Sequence, residues 1–152
     1  MNIVASVILF ATVTLASSVY GCDTAAGTYN NEKGSFTMSW CYPSDDSIQL
    51  TVSLAGTAYI GIGFGGSMYE ADIIAGWVDS NGNGTISDYY SEQEGKPQED
   101  VSLGGSNDVA AISISKSDVG TSMIFTRKLI TGDKYDKDIS LTGVNDMVYA
   151  WA

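Results

Sequence analysis

The sequence predicts an all-β fold: an antiparallel, immunoglobulin-like β-sandwich of about 8–11 strands, in a single domain that follows a signal peptide. Three observations predict it. Apolar and polar residues alternate along short segments, turn residues separate these segments, and no segment keeps the apolar spacing of a helix. In a sandwich, one face of each strand is buried between two sheets, which is what such alternation provides.

The alternating segments supply the strands. Between Ile48 and Leu54, apolar residues occupy every second position, which predicts a half-buried strand. Asp72–Val78 is apolar on both faces, as expected for a central strand. Ser91–Val101 is polar and loop-like. Further strands are predicted at Phe36–Trp40, Tyr59–Phe64, Thr85–Ser91, Ala110–Ile114 (with Ala110, Ile112 and Ile114 on one buried face), Met123–Leu129 and Met147–Trp151.

The N-terminus predicts a secretory signal peptide. Ile3–Ala16 is an apolar run of h-region length, and small, neutral residues follow it. We expect cleavage before Cys22, with cleavage after Ser18 and an uncleaved anchor as alternatives. The chain is therefore divided into a signal peptide, 1–21, and a sandwich domain, 22–152. Such a protein is secreted, and no segment of the mature chain is predicted to span a membrane.

The chain contains two cysteines, Cys22 and Cys41. In a secreted protein, an even pair of cysteines is typical of a disulfide. That bond would tie the start of the mature chain to the first long strand.

Charge and residue content exclude several functions. The formal net charge is −11, which repels nucleic acid, and the chain contains no histidine. Nucleophile–histidine catalysis and copper monooxygenase chemistry both need imidazole groups. We therefore expect a protein that is not an enzyme.

A candidate ligand pocket lies in the segment that follows Tyr59. Glycines on one face of a strand let a flat ligand approach the backbone, although they also occur at bulges. A methionine beside them is a soft apolar contact, with simple core packing as the alternative. The ligand-binding candidates in this segment are Gly61, Gly63, Gly65, Met68, Tyr69 and Asp72.

Arg127 is the remaining ligand-binding candidate. It shares the otherwise apolar face of Met123 and Phe125, so it is expected to be buried and must then be paired. Asp72 and Asp133 are the candidate partners. A buried ion pair that braces the fold is the alternative to ligand contact.

The segment Asp79–Asp88 resembles part of an EF-hand loop but lacks its final bidentate acid. A weak calcium site would use Asp79, Asn81, Asn83, Thr85 and Asp88. A β-hairpin turn is the alternative, because Asn-Gly is a strong hairpin signal. Asn83 also begins a sequon for N-glycosylation.

The order of several motifs resembles the DOMON domain family, which is related to the cytochrome domain of cellobiose dehydrogenase. The resemblance covers most of the mature chain. The residues that carry it are Trp40, Tyr59–Phe64, Met68–Asp72, Asp88–Tyr90, Pro97 with Asp100, Phe125–Leu129 with Thr131–Asp133 and Asp136, and Val148–Ala150.

The resemblance implies binding of haem or sugars, or a role as an interaction module beside redox domains. In the haem-binding members, a methionine and a histidine ligate the iron, and Met68 lies at the methionine position. Three alternatives follow: a secreted, non-catalytic module that binds a small ligand or carbohydrate, a haem b electron-transfer module that uses Met68, and an interaction module without a small ligand. A redox or membrane protein is the implied partner.

Overall fold

The computed structural model describes residues 8–9, 22, 25–56 and 59–151. These residues form eleven strands and one short helix. The strands are β1 (Ile8–Leu9), β2 (Gly27–Asn30), β3 (Phe36–Ser44), β4 (Ser47–Ala55), β5 (Ile60–Phe64), β6 (Ala71–Val78), β7 (Gly84–Ser91), β8 (Gln98–Glu99), β9 (Val109–Lys116), β10 (Gly120–Lys128) and β11 (Asp146–Trp151), and the helix is α1 (Asp100–Leu103).

The strands form two antiparallel sheets, which confirms the predicted all-β sandwich. One sheet has six strands in the order β1-β11-β5-β6-β7-β8, and the other has five in the order β2-β3-β4-β10-β9. Apart from Ile8–Leu9, which pair with Met147 and Asp146 of β11, the predicted signal peptide lies outside the described residues.

The core lies between the two sheets. In β4, buried and half-buried residues alternate as the sequence predicts, so that Leu50 and Val52 are completely inaccessible to solvent. Phe125 of β10 is equally buried. The ring of Phe36 stacks on that of Tyr149 with centroids 4.0 Å apart, which packs the five-stranded sheet against the six-stranded one.

Strand β9 departs from the predicted pattern. Ala110 and Ile112 are exposed, and only Ile114 of the expected set packs against the core. The pairing of β9 with β10 shifts register at this point, since Ser113 pairs with Ile124 but Ala111 pairs with Phe125. The extra residue is a β-bulge, which reverses the faces of the strand beyond it.

The polar segment before Val101 is not entirely a loop. It ends in the short strand β8 and in the single-turn helix α1, which is closed by Gly104 in the left-handed conformation at φ 88°. Asp100, the first residue of α1, is only 1% exposed. The turn therefore directs a carboxylate into the protein.

The predicted disulfide joins Cys22 to Cys41. It links the segment before β2 to the middle of β3. Among the described residues, no helix is long and apolar enough to cross a membrane.

Replacing both cysteines with alanine should lower the free energy of unfolding by about 3 kcal/mol, because the bond closes a loop in the unfolded chain. Urea denaturation measures this change. Reduction of the unaltered protein is the matched control and should lower its stability by a similar amount. Equal stability of the oxidised and reduced forms would contradict the prediction.

Candidate functional site

The predicted pocket residues are divided between the two faces of the six-stranded sheet. Side chains alternate along β5, so Ile60, Ile62 and Phe64 enter the core while Gly61 and Gly63 face outwards. Strand β6 does the same, with Asp72 and Ile74 inwards and Ile73 and Ala75 outwards. Met68 therefore lies on the outer side, and Asp72 and Arg127 lie inside the sandwich.

The outer face carries a small apolar depression of about 30 Å³, well below the 300–1,000 Å³ of typical ligand pockets. It lies over β5, β6 and β11 and is bordered by two loops. Its walls include Tyr59, Gly61, Met68, Ile73, Pro97 and Val148. A separate apolar cluster, distinct from the core, underlies it.

The two outward glycines have different surroundings. A Cβ atom at Gly61 would lie 3.5 Å from the ring of Tyr59, which is ordinary van der Waals contact. A Cβ atom at Gly63 would lie only 2.8 Å from a methyl group of Val148. Gly63 is therefore needed for packing, whereas Gly61 has room for an added methyl group in the depression.

The loop between β5 and β6 positions Met68. Met68 is 8% exposed and packs on the outer face, whereas the neighbouring Tyr69 is 62% exposed and does not border the depression. Glu70 adopts a left-handed conformation at φ 48°, which is uncommon outside glycine. Gly65 borders a different, polar groove beside Lys137.

The donors at the depression supply one axial ligand of the pair expected for haem iron. The thioether of Met68 is the first candidate. The phenol oxygen of Tyr59 is the second candidate, but burial raises the pKa of this phenol, which disfavours the phenolate that would bind iron. The sequence contains no histidine, and Cys22 and Cys41 form the disulfide.

Inside the sandwich, Arg127 and Asp72 form the predicted ion pair. The Nη1 atom of Arg127 donates to Oδ2 of Asp72 at 2.5 Å, and each of the two side chains is at most 1% exposed to solvent. The backbone N–H of Lys137 donates to the same oxygen at 2.9 Å. The guanidinium also donates to the carbonyl oxygens of Lys128 and Lys137.

Asp133, the other predicted partner, does not pair with Arg127 in the structure. Its carboxylate accepts hydrogen bonds from the backbone N–H groups of Ser106 and Tyr135 instead. These bonds hold the pKa of Asp133 below its usual value. Asp136 is the second acid near the guanidinium, at 3.6 Å from Nη2.

Asp72 belongs to a cluster of acids that the sequence did not reveal. One oxygen from each of Asp72, Asp88 and Asp136 lies within 4.8 Å of the others. Burial, with the charges of Asp72 and Asp136, raises the pKa of Asp88 to about 8. Burial and the same two charges raise the pKa of Asp100 to about 7. The sequence pattern that could have revealed this cluster is the position of Asp88. Asp88 lies two residues after the buried Ile86 in a strand, so both side chains face inwards.

The Asp79–Asp88 segment forms a hairpin turn between β6 and β7, as the hairpin interpretation predicts. Asp79 accepts hydrogen bonds from the backbone of Asn81 and from the backbone and side-chain amides of Asn83. Asp79, Asn81, Asn83 and Thr85 are exposed, whereas Asp88 is 2% exposed and faces the interior. The structure thus does not bring Asp88 to the other four candidate calcium ligands.

The two glycines provide a matched pair of substitutions. Gly63→Ala should destabilise the protein by about 1–3 kcal/mol, because the added methyl group overlaps Val148. Gly61→Ala should leave the free energy of unfolding unchanged or slightly raised. Urea denaturation of both variants is the measurement, and equal costs at the two positions would contradict the described packing.

Arg127→Ala should destabilise the protein by about 3–5 kcal/mol, because it leaves the Asp72 carboxylate buried without its cation. Arg127→Lys keeps the charge but loses the planar fork, and its cost should be smaller. Denaturation curves give both values. A cost near zero for Arg127→Ala would show that the pair does not support the fold.

Comparisons with known proteins agree with this architecture. A family model described as the DOMON domain matches residues 32–152. The fold is similar to the cytochrome domain of Myriococcum thermophilum cellobiose dehydrogenase, with a TM-score of 0.65 and 20% identity over 82% of this chain and 67% of that domain. It is also similar to the cytochrome b domain of Coprinopsis cinerea pyranose dehydrogenase, with a TM-score of 0.61 and 17% identity over 82% of this chain and 66% of that one.

A search of curated proteins finds no match. The family assignment therefore depends on the family model, which covers most of the chain and includes the strands that carry both the outer depression and the buried acids. The chain belongs to the DOMON domain family.

Proposed function

We propose that this chain is a secreted, non-catalytic DOMON module that binds a flat, apolar ligand on the outer face of its six-stranded sheet. One observation carries the proposal. The depression at Gly61 is apolar, has room for an added methyl group on the strand, and has the buried thioether of Met68 at its border.

The size of the depression sets a condition on binding. A cavity of about 30 Å³ is too small for a flat ring system, so part of its border must move. Met68 and Pro97 lie on loops that flank the strands. Binding is therefore expected to displace these loops, while the strands beneath them keep their positions.

Haem b is the first candidate ligand of this kind. Two structures similar to this chain are cytochrome domains of dehydrogenases. The thioether of Met68 would bind the iron, and the surrounding apolar residues would contact the macrocycle. Bound haem would supply one-electron transfer, and a further iron ligand would have to come from outside the residues that border the depression.

Carbohydrate binding is less well supported by the geometry. Sugar sites need polar groups beside an aromatic platform, and the depression is bordered almost entirely by apolar atoms. Tyr69, the predicted aromatic contact, lies outside it. Trp77 and Tyr89 form a tilted aromatic pair with ring centroids 6.4 Å apart, but neither residue borders the depression.

The remaining features agree with a secreted, non-catalytic module. The disulfide suits an oxidising compartment. Catalysis by a nucleophile–histidine pair is not available to a chain without histidine. The alternative is an interaction module that binds no small ligand, and the experiment must distinguish it from a ligand-binding module.

Haemin titration with added imidazole tests the proposal. Imidazole stands in for a second axial ligand, so the unaltered protein should give a Soret band that sharpens as imidazole is added. Met68→Leu conserves volume but removes the thioether, and should weaken haemin binding by about tenfold or more. Gly61→Val fills the depression and should block binding.

Met123→Leu is the matched control, because Met123 is buried between the two sheets. It should bind haemin like the unaltered protein. Absence of haemin binding would overturn the haem assignment, and a positive glycan array would then favour carbohydrate. Binding that Gly61→Val leaves unchanged would overturn the location of the site.

A further inference from the structure

A second candidate site lies inside the sandwich, at the end where α1 and the segment after β10 meet the sheets. Asp72 of β6, Asp88 of β7 and Asp136 each place one carboxylate oxygen within 4.8 Å of the others. We propose that these three acids, together with Asp100, bind one divalent cation, and that Ca²⁺ is the ion that fits best. This inference does not depend on the proposed function.

Unsatisfied oxygens give the strongest independent support. Asp100 is 1% exposed, yet neither of its carboxylate oxygens has a hydrogen-bond donor. The Oδ1 atoms of Asp72 and Asp88 are also buried without donors. Leaving a buried polar atom unpaired costs about 1–3 kcal/mol, and more for a charged group. An ion at this place would satisfy several oxygens together.

In the part of the chain that the structure describes, the one cationic side chain paired with this cluster does not provide a partner for every acid in it. Arg127 is the basic side chain that forms ion pairs here, and its hydrogen bond to Asp72 uses only Oδ2. The backbone N–H of Asp108 donates to one oxygen of Asp88, at 3.2 Å. Four buried acids thus share one guanidinium, and each has at least one oxygen without a hydrogen-bond donor.

The donor set selects the class of ion. All four side chains offer oxygen, and neither imidazole nor free thiolate is present, which favours Ca²⁺ or Mg²⁺ over zinc and copper. Two oxygens on one Ca²⁺ are at most about 5 Å apart, and on Mg²⁺ about 4 Å, because the bonds are roughly 2.3–2.6 Å and 2.0–2.1 Å long. Separations within 4.8 Å admit one Ca²⁺. Mg²⁺ usually keeps several waters and is seldom held in an all-protein site, so a buried set of carboxylates favours Ca²⁺.

An ion here would join parts of the chain that are distant in sequence. Asp72 and Asp88 belong to neighbouring strands, Asp100 begins α1, and Asp136 lies in the segment after β10. A hydrogen bond already holds this segment against the sheet, because the backbone N–H of Lys137 donates to the carboxylate of Asp72. The cation would therefore close this end of the sandwich.

Calcium titration of the chelator-treated full chain, without haemin, tests the site. Calorimetry should show one Ca²⁺ per chain with weaker Mg²⁺ binding, and the unfolding temperature should rise with Ca²⁺ concentration. Asp88→Asn and Asp100→Asn should each weaken Ca²⁺ binding by about tenfold or more, since affinity follows the number of charged ligands.

Two control variants separate this site from other acids. Asp79→Asn alters the exposed hairpin turn, and Asp45→Asn removes the same charge from the β3–β4 turn. Both should bind Ca²⁺ as the unaltered protein does. The proposal is overturned if millimolar Ca²⁺ gives neither heat nor a shift in unfolding temperature, if Mg²⁺ binds more tightly, or if Asp79→Asn abolishes binding while Asp88→Asn keeps it.

Discussion

The burial of one guanidinium between the two sheets is the constraint on which this end of the structure depends. Arg127 follows Met123 and Phe125 on the inward face of β10, so its charge lies in the core, 5.0 Å from the ring of Phe64. It cannot remain there without partners. Asp72 supplies the opposite charge, and two carbonyl oxygens accept hydrogen bonds from Nε and Nη2. One ion pair thus joins the sheets and holds the segment after β10 against them.

Strand β6 contributes residues to both candidate sites, one on each of its faces. Ile73 contributes to the outer apolar face, and Asp72, its neighbour, contributes to the inner acidic cluster. The backbone of one strand therefore lies between the outer apolar depression and the buried acidic cluster. Because β6 pairs along its length with β5 and β7, both sites are built on a rigid support.

Local sequence patterns were enough to predict most of the strands and several of the candidate residues. Alternation along segments such as Ile48–Leu54 indicates strands, because a residue period of two matches the two faces of a sheet. An arginine among inward-facing apolar residues also indicates a buried partner. Met68 follows a glycine-bearing strand, and it does lie at the outer depression. These inferences needed only the chemistry of each segment and of its near neighbours.

The sequence by itself determined the sandwich, the disulfide pair, and the need of Arg127 for an acid. Tertiary structure decided which glycine leaves space, because Val148 of β11 fills the volume beside Gly63 but not that beside Gly61. It also decided that Asp88 joins Asp136 inside the protein rather than Asp79 in the turn. These outcomes depend on contacts between segments far apart in the chain, whose registers and bulges are set only when the sheets assemble.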